Sequence, residues 1–194
     1  MSYCRVRSCV SGEVVFLCLA GMPGAGKSTV GRELARRLGW DFIDADVELE
    51  RRCGASVSTI FEMEGEAGFR QREAALLDEL TQRAAIVLAT GGGAVLGADN
   101  RVRLRERGLV IYLRATVDEI LRRTRNDRAR PLLQVADPRA RLEQLLSERA
   151  PLYEEVAHVS FNSGAGNPRR LVERILDCTA VRTALGLQPG ASLQ

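Results

Sequence analysis

The stretch Gly21-Met22-Pro23-Gly24-Ala25-Gly26-Lys27-Ser28 holds the only lysine among 28 basic residues; the other 27 are arginines. It fits the pattern G-x-x-x-x-G-K-[ST], a loop whose backbone N–H groups cradle phosphates. Lysine suits that place because its ammonium is a compact point charge, whereas an arginine fork is wider. Gly21, Gly24 and Gly26 let the backbone turn its N–H groups inward toward an anion. Ser28 opens a helix whose N-terminus carries partial positive charge, and its hydroxyl is placed to meet Mg²⁺.

Further along, Asp44 and Asp46 follow a short apolar run. Spaced i and i+2, they project to one side of an extended chain, toward the phosphates. The competing reading makes Asp46 the N-cap of a helix over 47–53. Arg70 and Glu73 are i and i+3 on a helix, so the carboxylate can aim the guanidinium at a substrate oxyanion. An ordinary surface ion pair would look the same and be worth only ~0.3–0.5 kcal/mol. Gly91-Gly92-Gly93 follows another apolar run, and three residues without side chains let a ligand approach the backbone closely. Arg130 stands before Pro131, and Arg149 lies two residues before Pro151; each proline fixes the local chain.

These residues need a scaffold, and the pattern supplies one. Val14–Ala20 reads as a buried parallel strand, and Trp40–Ile43, Ala85–Ala89, Leu109–Leu113 and His158–Phe161 are four further strand candidates. Helices are expected from Thr29 to Leu38, where Val30, Leu34 and Leu38 share a face, and over 47–53, 58–64, 66–83, 99–107, 117–124, 138–148 and 168–184. Alternation of this kind predicts an α/β fold, a parallel sheet wrapped by helices on both faces, with ligands at the carboxyl ends of the strands. Residues 13–185 form one domain, with an extension over 1–12 and a tail over 186–194. Residues 125–137, with Arg128, Arg130, Pro131 and charge throughout, read as a mobile lid.

Composition excludes several classes. A net charge of +3, with 25 acids mixed among the bases, argues against a nucleic-acid partner. One histidine, His158, leaves no room for a histidine triad or metal cluster. The five cysteines, Cys4, Cys9, Cys18, Cys53 and Cys178, have neither zinc spacing nor an even count. This fits a reducing cytoplasm. The start, with Arg5 and Arg7 before an apolar run, loosely imitates a secretion signal, but Glu13 breaks the run and the run leads into the phosphate loop. No stretch approaches the ~20 apolar residues of a membrane span.

The ordered set Gly21–Ser28, Asp44-x-Asp46, Gly65-Glu66-x-x-Phe69-Arg70-x-x-Glu73, Gly91-Gly92-Gly93, Arg130-Pro131-Leu132-Leu133 and Arg149-x-Pro151-Leu152-Tyr153 resembles the shikimate kinases over about residues 14–160. The resemblance implies a three-layer α/β/α fold like that of the nucleoside-monophosphate kinases, with five parallel strands and a lid. It implies transfer of the ATP γ-phosphate to the 3-hydroxyl of shikimate by a monomer. By it, Gly24, Ala25, Gly26, Lys27, Ser28 and Thr29 would hold the ATP phosphates, Arg123 would lie against adenine, and Arg130 would reach over the moving phosphoryl group. Ser28 and Asp44 would hold Mg²⁺, the latter through water. Asp46 would bind the shikimate hydroxyls and accept the proton. Arg70 and Arg149 would clamp the carboxylate, Glu73 would support Arg70, and Gly91, Gly92 and Gly93 would contact shikimate by backbone. A gluconate kinase shares the phosphate loop but lacks a matching second motif here. A nucleotide-binding regulator has no need of Arg70, Glu73 and Arg149 beside a triple glycine. A catalytically dead relative is disfavoured by intact motifs.

Overall fold

Two apolar cores lie on opposite faces of one five-stranded sheet in the computed structural model, which describes residues 16–125, 137–164 and 166–187. The extension at 1–12, most of the tail, and nearly all of the lid, Arg130 included, lie outside the described residues. In chain order the elements are β1 (Phe16–Ala20), α1 (Lys27–Leu38), β2 (Asp41–Asp44), α2 (Ala45–Cys53), α3 (Val57–Leu80) and β3 (Ile86–Ala89). After a short 3-10 turn at Ala94–Leu96 come α4 (Ala98–Arg107), β4 (Leu109–Arg114), α5 (Val117–Thr124), α6 (Pro138–Val156), β5 (Val159–Asn162), α7 (Pro168–Asp177) and α8 (Thr179–Ala184). Every strand pairing is parallel, and the order is β2-β3-β1-β4-β5. Among the described residues no helix is long and apolar enough to cross a membrane.

Alternation along each strand builds the two cores. Phe16, Cys18 and Ala20 of β1 join the core covered by α2 to α6, while Leu17 and Leu19 join the core covered by α1, α7 and α8. Both faces are covered, so β1, β3 and most of β4 are continuous apolar runs, as parallel strands require. Burial pushes the Cys18 thiol up to about 12, so it is an inert core group. Several arginines pair with acids on helix surfaces, such as Arg36 with Glu33 and Arg51 with Glu48. Such exposed pairs add little beyond solubility.

The sheet order brings the carboxyl ends of β1, β2 and β3 side by side, with β3 in the middle. The phosphate loop, Asp44 and the triple glycine therefore converge, although they are far apart in sequence. Thr90 fastens β3 to β1 at this edge, its N–H and hydroxyl both donating to the Leu19 carbonyl.

Four sequence expectations change. Asp46 does not cap a helix, and the chain stays extended only as far as Asp44. The helix starts two residues earlier, at Ala45, and Asp44 is its N-cap, accepting from the Asp46 N–H at 3.2 Å. The helix expected to stop at 148 runs on to Val156 with Pro151 inside it. Arg149 therefore sits within α6 rather than after it. The helix expected over 168–184 breaks at Cys178, whose backbone is extended. Ala85 lies outside β3 because its φ of 56° is left-handed. The division at Gly65 holds: φ 70°, ψ −177° interrupts α3 there, a geometry that glycine adopts without a Cβ clash.

Candidate active site

Helix α1 has Gly26 as its N-cap, at φ 93°, and no side chain caps it. Its first N–H groups are thus left to an external acceptor, which is what an anion site needs. Lys27 folds its Nζ back over the loop, donating to the Gly21 carbonyl at 2.8 Å and the Met22 carbonyl at 3.0 Å. Ser28 Oγ donates to Asp44 Oδ2 at 2.6 Å, so a hydroxyl and a carboxylate meet where the loop enters the helix. Both are hard oxygen donors of the kind Mg²⁺ selects, and the pair fits the metal.

On the other side of the cleft, the triple glycine is needed for what packs against it. None of the three has a positive φ. A methyl at Gly91 would stand 2.6 Å from Asp46 Oδ1 and 2.9 Å from Glu73 Oε1. One at Gly92 would stand 2.6 Å from Pro23 Cδ. One at Gly93 would stand 2.4 Å from Arg70 Nη2. Two carboxylates, a guanidinium and the phosphate loop thus all press on this segment of backbone.

Arg70 is held by Glu73, with Nη1 to Oε2 at 2.7 Å, and more loosely by Glu66 at 3.3 Å. Glu73 is buried, so this pair is not the surface bridge that the spacing alone allowed. Burial raises the Glu73 carboxyl above its usual range, opposed by the Arg70 charge. Burial raises Asp46 likewise, opposed by Lys27, with Asp44 adding repulsion. Arg149, only 7% exposed, donates from Nη1 to the Gly92 carbonyl at 3.2 Å. Its Nε and Glu73 Oε1 are buried polar atoms with no hydrogen-bond partner among the described residues. Such orphans cost free energy and mark groups set for a ligand.

Arg123 binds a different region. Its Nη1 donates to the Gly24 carbonyl at 3.3 Å and the Ala25 carbonyl at 3.2 Å, and its Nη2 donates to the Ser163 and Gly164 carbonyls. It thereby ties the phosphate loop to the segment after β5. Beside it opens a cleft of about 620 Å³ lined by Gly26, Thr29, Arg123, Asn167 and Pro168 among others. The size is that of a small-ligand site.

The structure therefore gathers Asp46, Arg70, Glu73 and Arg149 against Gly91, Gly92 and Gly93, beside the loop that carries Lys27, Ser28 and its partner Asp44, while Gly24, Ala25, Gly26, Thr29 and Arg123 lie on the side of the loop where the cleft opens. Sequence reasoning gave no role to Tyr153, whose hydroxyl donates to the Gly92 carbonyl at 2.5 Å, or to Met22 and Pro23, which lie against the same junction. The i, i+4 spacing of Arg149 and Tyr153 carried the signal, but stopping the helix at 148 hid it.

Comparison with known proteins shows the family. The family model described as "Shikimate kinase" matches residues 23–180. A shikimate kinase of Bordetella pertussis is 61% identical over 158 residues, 81% of this chain and 75% of that protein. The structure of a shikimate kinase from Acinetobacter baumannii, solved in complex with shikimate, superposes with a TM-score of 0.82 at 52% identity, covering 84% of this chain and 91% of that one. A gluconokinase from Sinorhizobium meliloti is similar at a TM-score of 0.50 and 17% identity, with 92% of this chain and 94% of that one covered, and shares the fold alone. On this match of sequence and fold, the chain belongs to the shikimate kinase family.

Proposed function

We propose that the chain transfers the γ-phosphate of ATP to the 3-hydroxyl of shikimate, giving shikimate 3-phosphate and ADP on the route to chorismate and the aromatic amino acids. One observation carries the reading. The uncapped phosphate loop and a cluster of Asp46, Arg70, Glu73 and Arg149 face each other across the triple glycine. A donor anion and an acceptor that is itself an anion with hydroxyls complement those two sides.

In this reading ATP lies along the loop, its phosphates on the N–H groups of Gly24 to Thr29 and on Lys27, and its base in the cleft beside Arg123. Ser28 and Asp44 would hold Mg²⁺, which when bound would supply charge neutralisation beside the phosphates. Arg70 and Arg149 take the shikimate carboxylate, Glu73 fixes Arg70, and the backbone of Gly91, Gly92 and Gly93 closes on the ring. Asp46 orients the hydroxyls. As the 3-hydroxyl oxygen bonds to the γ-phosphorus, the bond from that phosphorus to the bridging oxygen breaks and ADP leaves with the electron pair. The hydroxyl proton passes to Asp46, whose carboxyl burial has made a better proton acceptor than an exposed aspartate. Arg130, from the lid, is assigned by the resemblance alone to the transferring phosphoryl group. Positioning and spread positive charge supply most of the rate in such transfers. On this reading the enzyme works as a cytoplasmic monomer, in keeping with an odd count of five cysteines, 25 acids mixed among 28 bases, and the family expectation.

The test is coupled ADP release from Mg-ATP with shikimate, with gluconate, and with neither. ADP formed only with shikimate is the expected result. ADP with gluconate instead, or with neither acid, would overturn the acceptor assignment.

A further inference from the structure

Tyr153 carries a buried hydroxyl that the mechanism above does not use. It lies on α6 one turn beyond Arg149 and is fully buried. Its ring stacks on Tyr112 of β4, with centroids 5.0 Å apart and planes at 26°. The hydroxyl donates to the Gly92 carbonyl at 2.5 Å and lies 3.9 Å from Met22 Sδ in the phosphate loop. Arg149 donates to the same carbonyl at 3.2 Å. Pro23 of the phosphate loop closes the junction from the other side, since even a methyl on Gly92 would meet its ring at 2.6 Å and 2.7 Å.

Resting on the shikimate kinase reading, we infer that Tyr153 is a positioning residue for the transfer, its hydroxyl setting the spacing between the acceptor loop at Gly92 and the donor loop at Met22–Pro23. The carbonyl of Gly92 has two donors from one helix, a guanidinium and a phenol. Arg149 is shared between this carbonyl and the substrate carboxylate it is proposed to hold. Tyr153 touches no substrate group in this scheme, so it holds the loop at one place whether the acceptor site is empty or full. Its rigidity comes from the stack on β4, the strand beside β1, from which the phosphate loop leaves. Burial also raises the phenol, with Arg149 opposing, so the hydroxyl stays a donor across the working range of pH. In-line transfer depends on the separation of nucleophile and phosphorus, and errors near 1 Å are costly. The hydroxyl therefore acts on the chemical step more than on the affinity of either substrate.

The experiment uses the full chain with Tyr153→Phe, which keeps the stacked ring and removes only the hydroxyl. Expected is a fall in kcat of about 10–100-fold, the usual range when a supporting hydrogen bond behind a site is removed, with the KM for ATP held within about twofold. Tyr112→Phe, whose hydroxyl is not part of the junction, is the packing control and should leave kcat unchanged. A Tyr153→Phe enzyme with wild-type kcat and only a lowered melting temperature would overturn the inference, as would an equal kcat loss in Tyr112→Phe. Should Tyr153→Phe fail to fold, Met22→Leu keeps the volume and removes the sulfur beside the hydroxyl. A several-fold lower kcat at unchanged KM for ATP would then support the junction, and wild-type kcat would overturn it. Turnover of shikimate by the wild type judges the functional reading separately: without it that reading falls, and with it the variants judge Tyr153 alone.

Discussion

Gly93→Ala tests whether the triple glycine serves to place Arg70. Gly93 has φ −100° and ψ −2°, a conformation any residue adopts, so the added methyl brings no backbone strain. It would instead stand 2.4 Å, 2.6 Å and 2.8 Å from Nη2, Nη1 and Cζ of Arg70. Ordinary contact begins near 3.5 Å, so the guanidinium must retreat by about 1 Å. It is tied to Glu73 at 2.7 Å, and a retreat of that size carries this bond past the usual hydrogen-bond range. The clash falls on the far end of a flexible side chain, so the melting temperature should change little. The site should suffer more. A displacement near 1 Å in a positioning group costs about 100-fold, or about 2.7 kcal/mol of transition-state stabilisation. Coupled ADP release, with shikimate varied at saturating Mg-ATP and then the reverse, should show that loss in kcat/KM for shikimate and little change in the KM for ATP. Retention of kcat/KM for shikimate within about threefold, or an equal loss for both substrates, would refute the reasoning.

Lys27→Ala should abolish phosphoryl transfer while thermal melting stays near wild type, because Nζ donates to the loop carbonyls at 2.8 and 3.0 Å and the side chain belongs to neither apolar core; near-normal turnover would refute its role. Asp44→Asn should raise the Mg²⁺ concentration needed for half-maximal rate, since it removes the charge beside Ser28, and an unchanged Mg²⁺ titration would remove Asp44 from the metal site. His158 should make the fold acid-sensitive. Its Nδ1 accepts from the Val110 N–H at 3.0 Å, and burial, aided by Arg105, lowers its pKa from 6.5 to about 4. The unfolded chain thus binds a proton in that window that the folded chain refuses, so stability is full above pH 6.5 and falls as pH drops toward 4. His158→Asn keeps an acceptor for Val110 and removes the titration, so its melting temperature should depend less on pH across the window; identical profiles would clear His158.

The sequence by itself determined the parts whose physics is local. The phosphate loop needs only its glycines, one lysine and a following helix, all within eight residues. The apolar runs declared a parallel sheet because strands buried on two faces cannot alternate, and the structure returned five parallel strands, of which β1, β3 and most of β4 are such runs while β2, at the edge, is partly exposed. Gly65 divided α3 because no side chain tolerates that backbone. Tertiary structure decided what depends on competition or distance. Which aspartate caps α2 turned on a contact with Ser28, sixteen positions away in the chain, that draws Asp44 to the helix start. Whether Arg70 and Glu73 were a surface pair or a site pair turned on burial, which spacing does not encode. Pro151 reads locally as a helix end, yet α6 continues through it. Packing on the sheet and the bonds of Arg149 and Tyr153 to Gly92 offset the one backbone hydrogen bond that proline removes. The strand order, with β3 between β1 and β2, finally set the glycines against the phosphate loop, and no local rule of sequence fixes which strands become neighbours.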